Sequence, residues 1–281
     1  MNEGHKDTQV TITFTRYAEP NWLIIETLKS LSKQTDIKST ILFLDQKDDH
    51  EIQLVLEKLN TENLNFIREL IPAKSLSYAR NLAIQKSEND LILFIDSDAI
   101  AKPDWARNMT DALLEENVGI VGGRILLKWH KEPLMLAKAR VVREQYSELD
   151  LGVETKEVQK VIGASFAINK KLLGADAYFD ENLGRREGIL LGGEETDLCN
   201  RAHLAGLRVL YQGLAVVDHQ VLPERITYSW IFKRIFYAGY GRSKSGGTPS
   251  PSHQMGAWDY LILPIILPVY LAGYIKQKIS R

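Results

Sequence analysis

The sequence predicts an α/β protein with a doubly wound, mostly parallel sheet and helices flanking both faces. Short apolar runs of the buried-strand kind alternate with amphipathic helical segments through the first 124 residues, in the order β-α-β-α-β-α-β. The 281 residues are 44% hydrophobic and 25% charged, which excludes a disordered or collagen-like chain. The one cysteine, Cys199, excludes an internal disulfide and a cysteine-clustered metal site.

The strands of the N-terminal half follow from apolar patterning. Residues 10–14 alternate between apolar and polar side chains, and residues 40–44 and 91–95 are continuous apolar runs. Residues 66–71 and 118–121 predict two further strands. The run at 91–95 is the strongest strand signal in the chain.

Four helices are expected between these strands. The first follows Pro20, the second covers residues 52–59, the third covers 77–87 and the fourth covers 104–115. Ser75 or Ser77 is the expected cap of the third helix because a serine hydroxyl can accept a hydrogen bond from a free amide of the first turn.

The alternation weakens beyond residue 124. Residues 134–148 predict a rather polar helix, and residues 161–168 predict a strand. A helix over 194–205 is expected to end at Gly206. Residues 208–211 and 214–217 predict two short strands.

The C-terminal segment predicts a helical, amphipathic extension. Residues 227–239 form an aromatic-rich amphipathic pattern, and residues 246–252 have the composition of a flexible linker. Residues 260–275 carry no charge, but a spanning helix needs about 20 residues, and Pro264 and Pro268 break helical hydrogen bonding. An interfacial, membrane-associating segment is therefore favoured over a spanning one. The alternative is a buried piece that covers the domain or a dimer interface.

Charge is unevenly distributed along the chain. From residue 225 to residue 281 there are eight Lys or Arg residues and one acid, whereas the whole chain has a net charge of −1. A basic, aromatic-rich tail on an acidic body indicates a membrane surface or an acidic partner, with a solvated basic helix as the alternative. Nucleic-acid binding is not expected because the basic residues are interleaved with aliphatic ones. The first ten residues contain no signal-peptide apolar region, so we expect a cytoplasmic protein that is peripheral at the inner face of the cell membrane.

Asp96 and Asp98 directly follow the strand at 91–95. Ligands of open α/β sheets bind outside the carboxyl ends of the strands, so this position predicts a Mg²⁺ or Mn²⁺ site that would also hold phosphates of a ligand. The alternative is a pair of turn aspartates that cap the helix beginning near Pro103.

Two further polar residues are expected at the same edge. Arg80, one helix earlier, could reach a phosphate or a base, or could simply pair with a nearby acid. Asp45 ends the second strand, where a carboxylate can accept hydrogen bonds from a nucleobase or a ribose hydroxyl, although such residues are often turn formers.

A second polar cluster begins at Gly192 and Gly193. These glycines permit close approach of a ligand, and Glu194 and Glu195 then open a helix, where acids also compensate the helix dipole. His219, just after a strand, is a candidate third metal ligand or a phosphate donor.

Together these motifs resemble the family 2 glycosyltransferases of GT-A fold. The resemblance covers residues 10–219 and is carried by residues 77–81, 91–98, 192–201 and 216–219, in that order. Residues 232–242 are similar to the tail of members that build bacterial exopolysaccharide or cell-envelope glycans at the membrane.

The resemblance implies roles on the donor side of the site. The expected pocket for a UDP-, GDP- or dTDP-sugar is lined at the base and ribose by Thr15, Tyr17 and Glu19. Asp45 would contact the nucleobase, and Arg80 the base or the diphosphate.

The resemblance also implies the metal and catalytic residues. Asp96 would hold the ribose or the metal, and Asp98 would be the principal ligand of Mg²⁺ or Mn²⁺, joined by His219. Glu195 lies where the family has its catalytic base, although Glu stands here in place of the commoner Asp. Glu194 is the other candidate for the base.

The implied reaction is an inverting transfer of a sugar to an acceptor hydroxyl on a glycan or a lipid-linked acceptor. Residues 1–222 would form the catalytic domain, with a nucleotide-sugar half at 1–124 and an acceptor half at 125–222, and residues 223–281 the tail. The glycine-rich loops of nucleotidyltransferases, dehydrogenases and P-loop ATPases are absent after the first strand. A non-catalytic protein of the same fold that binds glycans or acts as a scaffold is the alternative.

Overall fold

The computed structural model describes residues 8–185, 188–245 and 255–279. The strands, in chain order, are β1 (Gln9–Arg16), β2 (Lys38–Asp45), β3 (Leu64–Leu70), β4 (Leu91–Ile95), β5 (Ala99–Ala101), β6 (Val118–Trp129), β7 (Lys156–Glu157), β8 (Ser165–Asn169) and β9 (Arg208–Val221). The α-helices are α1 (Asn21–Leu31), α2 (His50–Leu56), α3 (Leu76–Lys86), α4 (Trp105–Leu113), α5 (Arg140–Arg143), α6 (Lys170–Leu173), α7 (Glu194–Leu204), α8 (Tyr228–Ser245) and α9 (Ala257–Ile279).

These strands form one mixed sheet in the order β3-β2-β1-β4-β8-β6-β9-β5, with β7 paired to β9. The four strands from β3 to β4 are parallel, and β6 and β9 are parallel to each other. The intervening β8 is antiparallel to both of its neighbours, and β5 and β7 are antiparallel to β9. The predicted α/β fold class is therefore confirmed.

Helices cover both faces of the sheet. One apolar layer contains Ile24 and Leu28 of α1 with Trp105 of α4, and the other contains Ala83 of α3 with Leu198 of α7. Every residue of β4 is buried, as expected of a strand that is covered on both faces. This packing places the carboxyl end of β4 at the centre of the sheet edge where the candidate site lies.

The N-terminal elements agree with the sequence to within a few residues, except that β6 continues to Trp129, well beyond the strand predicted at 118–121. Of the two candidate caps of α3, Ser75 is the one in place, and its hydroxyl accepts a hydrogen bond from the amide of Tyr78. Strands β5 and β7 were not predicted, because segments of three and two residues are too short to show a period.

The prediction of two short strands at 208–217 is wrong, because they are parts of one 14-residue strand, β9. This strand pairs with β6 as far as Val221, across a register shift between Gly123 and Arg124. Because β9 continues past residue 217, it carries His219 back to the loop that follows β4.

The predicted helix at 134–148 is broken. The segment contains α5 between two short 3₁₀ turns, Met135–Lys138 and Glu144–Tyr146. Ala139 is extended and Ser147 is left-handed, with a φ of 73°, so the helical bonding stops at both residues. Tyr146 is buried and stacks on Trp230 with a centroid separation of 4.5 Å, so tertiary packing overrides the helical pattern.

The expectation that Pro264 and Pro268 interrupt the C-terminal segment is wrong. Both prolines lie inside the 23-residue helix α9, which packs antiparallel against α8. Gly239 of α8 lies against the backbone of Tyr270, and Gly273 of α9 lies against the carbonyl of Phe236. Each proline removes one amide hydrogen bond, but the helix continues through both and packs along its length on α8.

By length and composition α9 could cross a membrane, which on its own is weak support for a span. Within its most apolar stretch, 22% of the residues are buried against the rest of the chain. The linker predicted at 246–252 lies outside the described residues.

Candidate active site

The loop after β4 and the end of β9 bring Asp96, Asp98 and His219 together. One ligand atom from each of the three side chains lies within 4.8 Å of those of the other two. His219 faces this loop because β9 pairs antiparallel with β5, with His219 opposite Ala99. The amide of Ala99 donates to the carbonyl of Asp96, which closes the turn between the two acids. Neither acid caps α4, which begins only at Trp105.

Asp98 is buried beside an imidazole and a guanidinium. Its Oδ1 lies 3.2 Å from Nε2 of His219, and its Oδ2 lies 2.9 Å from Nη1 of Arg225. Burial alone would raise the pKa of Asp98, but the charges of His219 and Arg225 lower it well below its ordinary value. Asp98 is therefore a permanently ionised carboxylate at neutral pH.

The pKa of Asp96 is shifted upward, in the opposite direction to that of Asp98. Burial raises the pKa of Asp96, and the charge of Arg80, 3.5 Å away, offsets only part of this effect. The repulsion from Asp98 raises it further. Two carboxylates that repel each other beside an imidazole gain from a cation placed between them.

The residues of this group fit a divalent cation of the Mg²⁺ or Mn²⁺ class. Carboxylate oxygens are the ligands that these ions prefer, and an imidazole nitrogen is also a good ligand for Mn²⁺. Both ring nitrogens of His219 are buried, and within the described part of the chain neither has a well-aligned hydrogen-bond partner. A buried imidazole whose nitrogens lack a well-aligned hydrogen bond gains free energy from a ligand that satisfies one of them.

Arg80 joins this group to the two glutamates of α7. Its Nη1 lies 2.7 Å from Oε1 of Glu195 and 3.3 Å from Oε1 of Glu194. Its Nη2 donates to the carbonyl of Gly163 at 3.0 Å. Gly163 must be a glycine in this arrangement, because a Cβ there would overlap the carboxylate of Glu195. Arg80 is thus an internal cation that fixes the positions of three carboxylates.

Glu194 and Glu195 differ in environment although they are adjacent. Glu194 is 2% exposed, whereas the side chain of Glu195 is 14% exposed. Burial, and then the charge of Glu195, raise the pKa of Glu194 to about 7. Glu195 is therefore the more accessible acid, and Glu194 is a buried carboxyl that holds a proton near neutral pH.

A cleft of about 390 Å³ opens beside this cluster. Arg80, Asp96, Glu194 and Glu195 line it. The same cleft is also lined by residues of α8 and α9, which the sequence assigned to a tail rather than to the site: Arg234, Ile235, Ala238, Arg242, Leu263, Ile266, Leu267 and Tyr270. The cleft thus connects the acidic cluster with the C-terminal helices.

The residues that are expected to contact the nucleobase and ribose of the donor lie at the carboxyl end of β1. Thr15 is half-buried within the strand, and Tyr17 in the loop after it is exposed. The carboxylate of Glu19 accepts hydrogen bonds from the amides of Tyr17 and Ala18, which holds this loop in shape.

Asp45 is fully buried in a separate network. Its carboxylate lies 2.7 Å from Nε of Arg16 and accepts a second bond from Arg16, and Nε of Arg68 donates to it at 2.9 Å. Both carboxylate oxygens already accept hydrogen bonds from arginines, so the nucleobase contact expected of Asp45 stays a prediction.

Arg225 and Arg234 are the site residues that sequence reasoning missed. Arg225 lies six residues beyond His219, on a 3₁₀ turn at Pro223–Arg225, and its charge acts on Glu19 as well as on Asp98. Arg234 lines the cleft near Glu194 and Glu195, and its burial lowers its pKa to about 10. In the sequence both arginines were counted only among the basic residues of the C-terminal tail. That excess of positive charge was the signal that could have pointed to them.

The family model "Glycosyl transferase family 2" matches residues 11–175. The chain is 25% identical over 200 residues to the glucosyl-dolichyl phosphate glucuronosyltransferase of Haloferax volcanii, which covers 70% of this chain. It spans 61% of that relative's length. It is 26% identical over 223 residues to the succinoglycan biosynthesis protein ExoM of Rhizobium meliloti, covering 77% of this chain and 69% of that protein.

Among solved structures, the fold is similar to the mannosyltransferase PcManGT from Pyrobaculum calidifontis, which was solved with GDP-Man and Mn²⁺. The TM-score is 0.61 with 17% sequence identity, and the match covers 97% of this chain and 75% of the other. At this identity the likeness concerns the fold alone. Because the family model matches more than half of the chain, and the sheet and acidic cluster agree with it, the protein belongs to family 2 of the glycosyl transferases.

Proposed function

We propose that this protein is an inverting glycosyltransferase that moves a sugar from a nucleotide-sugar donor to an acceptor hydroxyl, with Glu195 as the general base. One observation carries the proposal. A group suited to a divalent cation and an accessible glutamate lie at the same sheet edge, joined by one arginine.

In the proposed reaction the acceptor oxygen attacks the anomeric carbon and gives its proton to Glu195. The bond from that carbon to the diphosphate breaks in the same displacement, which inverts the configuration and leaves no covalent sugar–enzyme intermediate. A divalent cation held by Asp98, His219 and Asp96 would supply positive charge against the departing nucleoside diphosphate. Arg80 fixes the Glu195 carboxylate, so that the base is oriented before the acceptor arrives.

We assign the proposed roles to three consecutive segments of the chain. Residues 1–124, with Thr15, Tyr17, Glu19 and Asp45, would bind a UDP-, GDP- or dTDP-sugar. Residues 125–222 would bind the acceptor and supply the base, and residues 223–281 would hold the protein at the cytoplasmic face of a membrane. The names of the Haloferax and Rhizobium relatives include a dolichyl phosphate substrate and succinoglycan synthesis, which supports a role in polysaccharide or cell-envelope glycan synthesis.

The first test is a screen of UDP-, GDP- and dTDP-sugars by calorimetry and nucleotide release, with Mn²⁺, with Mg²⁺ and with a chelator. We expect metal-dependent binding of one donor and slow release of its nucleoside diphosphate. Binding of a donor without release or transfer to any glycan would favour the non-catalytic glycan-binding or scaffold protein. If no donor binds with either metal, the proposed reaction is wrong.

A further inference from the structure

Basic side chains also line the cleft beside Asp96. Lys160 and Arg242 both line it, and within the described ranges neither of them donates a hydrogen bond or forms an ion pair. The two are close enough for their charges to repel, and Glu144 provides only partial compensation for Lys160. Such a pair gains free energy from an anion that binds between them.

Burial makes this arrangement costly for the protein alone. It lowers the pKa of Lys160 and also that of Arg242. The Nε atoms of Arg242 and Arg234 are buried, and within the described residues they have no hydrogen-bond partner. Partly buried cations that line a cleft without an ion pair are a feature of a binding site for an anionic group rather than of a stabilising core.

The wall beside these cations is apolar. Leu263, Ile266, Leu267 and Tyr270 of α9 form it. Leu267 is also 41% exposed, so it belongs both to the cleft and to the outer surface of α9. That surface continues along the helix with exposed apolar side chains: Leu261, Ile265, Leu271, Ile275 and Ile279. The cleft is therefore lined by an acidic cluster, by basic side chains and by an apolar wall that continues onto the exposed face of α9.

We propose that Lys160 and Arg242 bind the phosphate of a lipid-linked acceptor, whose sugar lies toward Glu195 and whose hydrocarbon chain leaves the cleft along Leu267 and α9. This inference rests on the proposed function and names its acceptor class. The three kinds of surface that line the cleft match the three chemical parts of such a molecule: a hydroxyl, a phosphate and an apolar chain. A neutral polysaccharide would leave the cations unpaired and the helix face uncovered.

The test uses the full chain with soluble probes, which separates this site from general membrane binding. Calorimetry would compare geranyl phosphate, geraniol and inorganic phosphate. We expect geranyl phosphate to bind at least about tenfold more tightly than either of the others, because only it occupies both surfaces. Equal binding of geraniol, or of inorganic phosphate, would overturn the lipid-phosphate assignment.

Amino-acid substitutions test separately whether the basic side chains and the apolar wall of the cleft bind the probe. Lys160→Met and Arg242→Met should each weaken geranyl phosphate about tenfold or more, with Arg242→Lys recovering part of the loss. Lys233→Met is the matched control, because Lys233 is exposed on the same helix α8 outside the cleft. Leu267→Ser should weaken binding of the probe, whereas Leu54→Ser, on α2 and similarly exposed but outside the cleft, should not. Unchanged affinity in both cation variants would overturn the proposal.

Measuring nucleotide-sugar binding shows whether a negative result contradicts the acceptor assignment or the proposed reaction on which it rests. Metal-dependent donor binding should be unchanged in Lys160→Met and Arg242→Met, which also shows that these variants fold. If the original chain binds no nucleotide-sugar, the proposed function fails first. If it binds donor but does not prefer geranyl phosphate, the acceptor assignment alone is wrong.

Discussion

At the scale of single residues, Arg80 determines how the site is organised. It is 4% exposed and contacts Asp96, Glu194, Glu195 and the carbonyl of Gly163. A buried arginine with three acids is stable only while these partners are present, since an unpaired charge in this position costs several kcal/mol. Arg80 therefore positions the acids and is not simply a surface residue that pairs with a nearby acid.

Replacing Glu195 with Gln tests the base. The amide keeps the shape of the side chain but cannot take a proton, so we expect transfer to fall by about 100-fold or more. Donor affinity, measured by calorimetry, should stay within a few-fold. Glu116→Gln, on the surface away from the cleft, is the control. Turnover that equals the control would move the base to Glu194.

Replacing Asp98 with Asn tests the metal group. Because the carboxylate is the ionised member of this group, we expect the metal-dependent part of donor binding to be lost. Calorimetry with Mn²⁺ and with a chelator measures this part directly. Asp218→Asn is the matched control, since Asp218 precedes His219 but pairs with Lys102 instead. Normal metal-dependent affinity in Asp98→Asn would remove Asp98 from the ligands.

The raised pKa of Glu194 predicts how the free energy of unfolding changes with pH. Its pKa is raised from 4.5 to about 7 by burial and by Glu195, so the folded protein binds this proton more tightly than the unfolded chain does. The stability that Glu194 contributes is therefore complete below pH 4.5 and is lost as the pH rises through 7. The loss corresponds to about 2 to 3 kcal/mol between pH 5 and pH 8.

The Glu194→Gln variant lacks this titration. Its free energy of unfolding should improve relative to the original chain by about that amount when the pH is raised from 5 to 8, as measured by urea titration. A difference between the two proteins that does not change with pH would show that Glu194 is ionised throughout.

At the scale of elements, the pairing of α8 with α9 forms the far wall of the cleft. Gly239 and Gly273 permit it, because each lies directly against backbone atoms of the other helix. Small residues at a helix crossing let the backbones approach closely, which a proline-containing helix requires if it is to be held by its neighbour. The shape of the cleft thus depends on these two glycines.

Replacing Gly273 with Ala tests this contact. The added methyl group would overlap the carbonyl of Phe236, so the helices must separate, and we expect a loss of about 1 to 3 kcal/mol in the free energy of unfolding. Urea denaturation measures it. Gly256→Ala is the control, because a Cβ at Gly256 meets its nearest atom only at 3.7 Å. Equal stability of the two variants would show that the helices are not closely packed.

At the scale of the whole molecule, the apolar face of α9 and its basic end predict binding to a membrane surface. Leu261, Ile265 and Leu271 are each at least 44% exposed, and Lys276 and Lys278 lie in the last turn of the helix. Burying these side chains at a lipid interface and placing the lysines near anionic headgroups both favour association.

Sedimentation with vesicles of anionic and zwitterionic lipid measures this association. The triple substitution Leu261→Ser, Ile265→Ser and Leu271→Ser should weaken vesicle binding by about tenfold or more. The control is the same substitution at three exposed apolar residues of the N-terminal half: Leu54, Ile67 and Leu70. If both triple variants bind as the original chain does, α9 packs on a protein surface instead.

The sequence by itself determined the fold class, the acids after β4 and the acidic start of α7. These features are local. A five-residue apolar run predicts β4, and the acids lie directly beside the end of a strand or the start of a helix: Asp96, Asp98, Glu194 and Glu195. The motif order predicted the family, which the family model confirms. The parallel strands at the N-terminal end were predictable because buried strands are continuously apolar.

Only the tertiary structure decided which residues meet. Arg225 reaches Asp98 across 127 positions in the sequence, Arg80 reaches Glu195 across 115, and α9 forms the cleft wall only because glycines fit it to α8. The single helix predicted at 134–148 and the proline break in α9 were wrong for the same physical reason. Burial against distant side chains outweighs the local preferences of a short segment, and those side chains cannot be identified from the segment's own sequence.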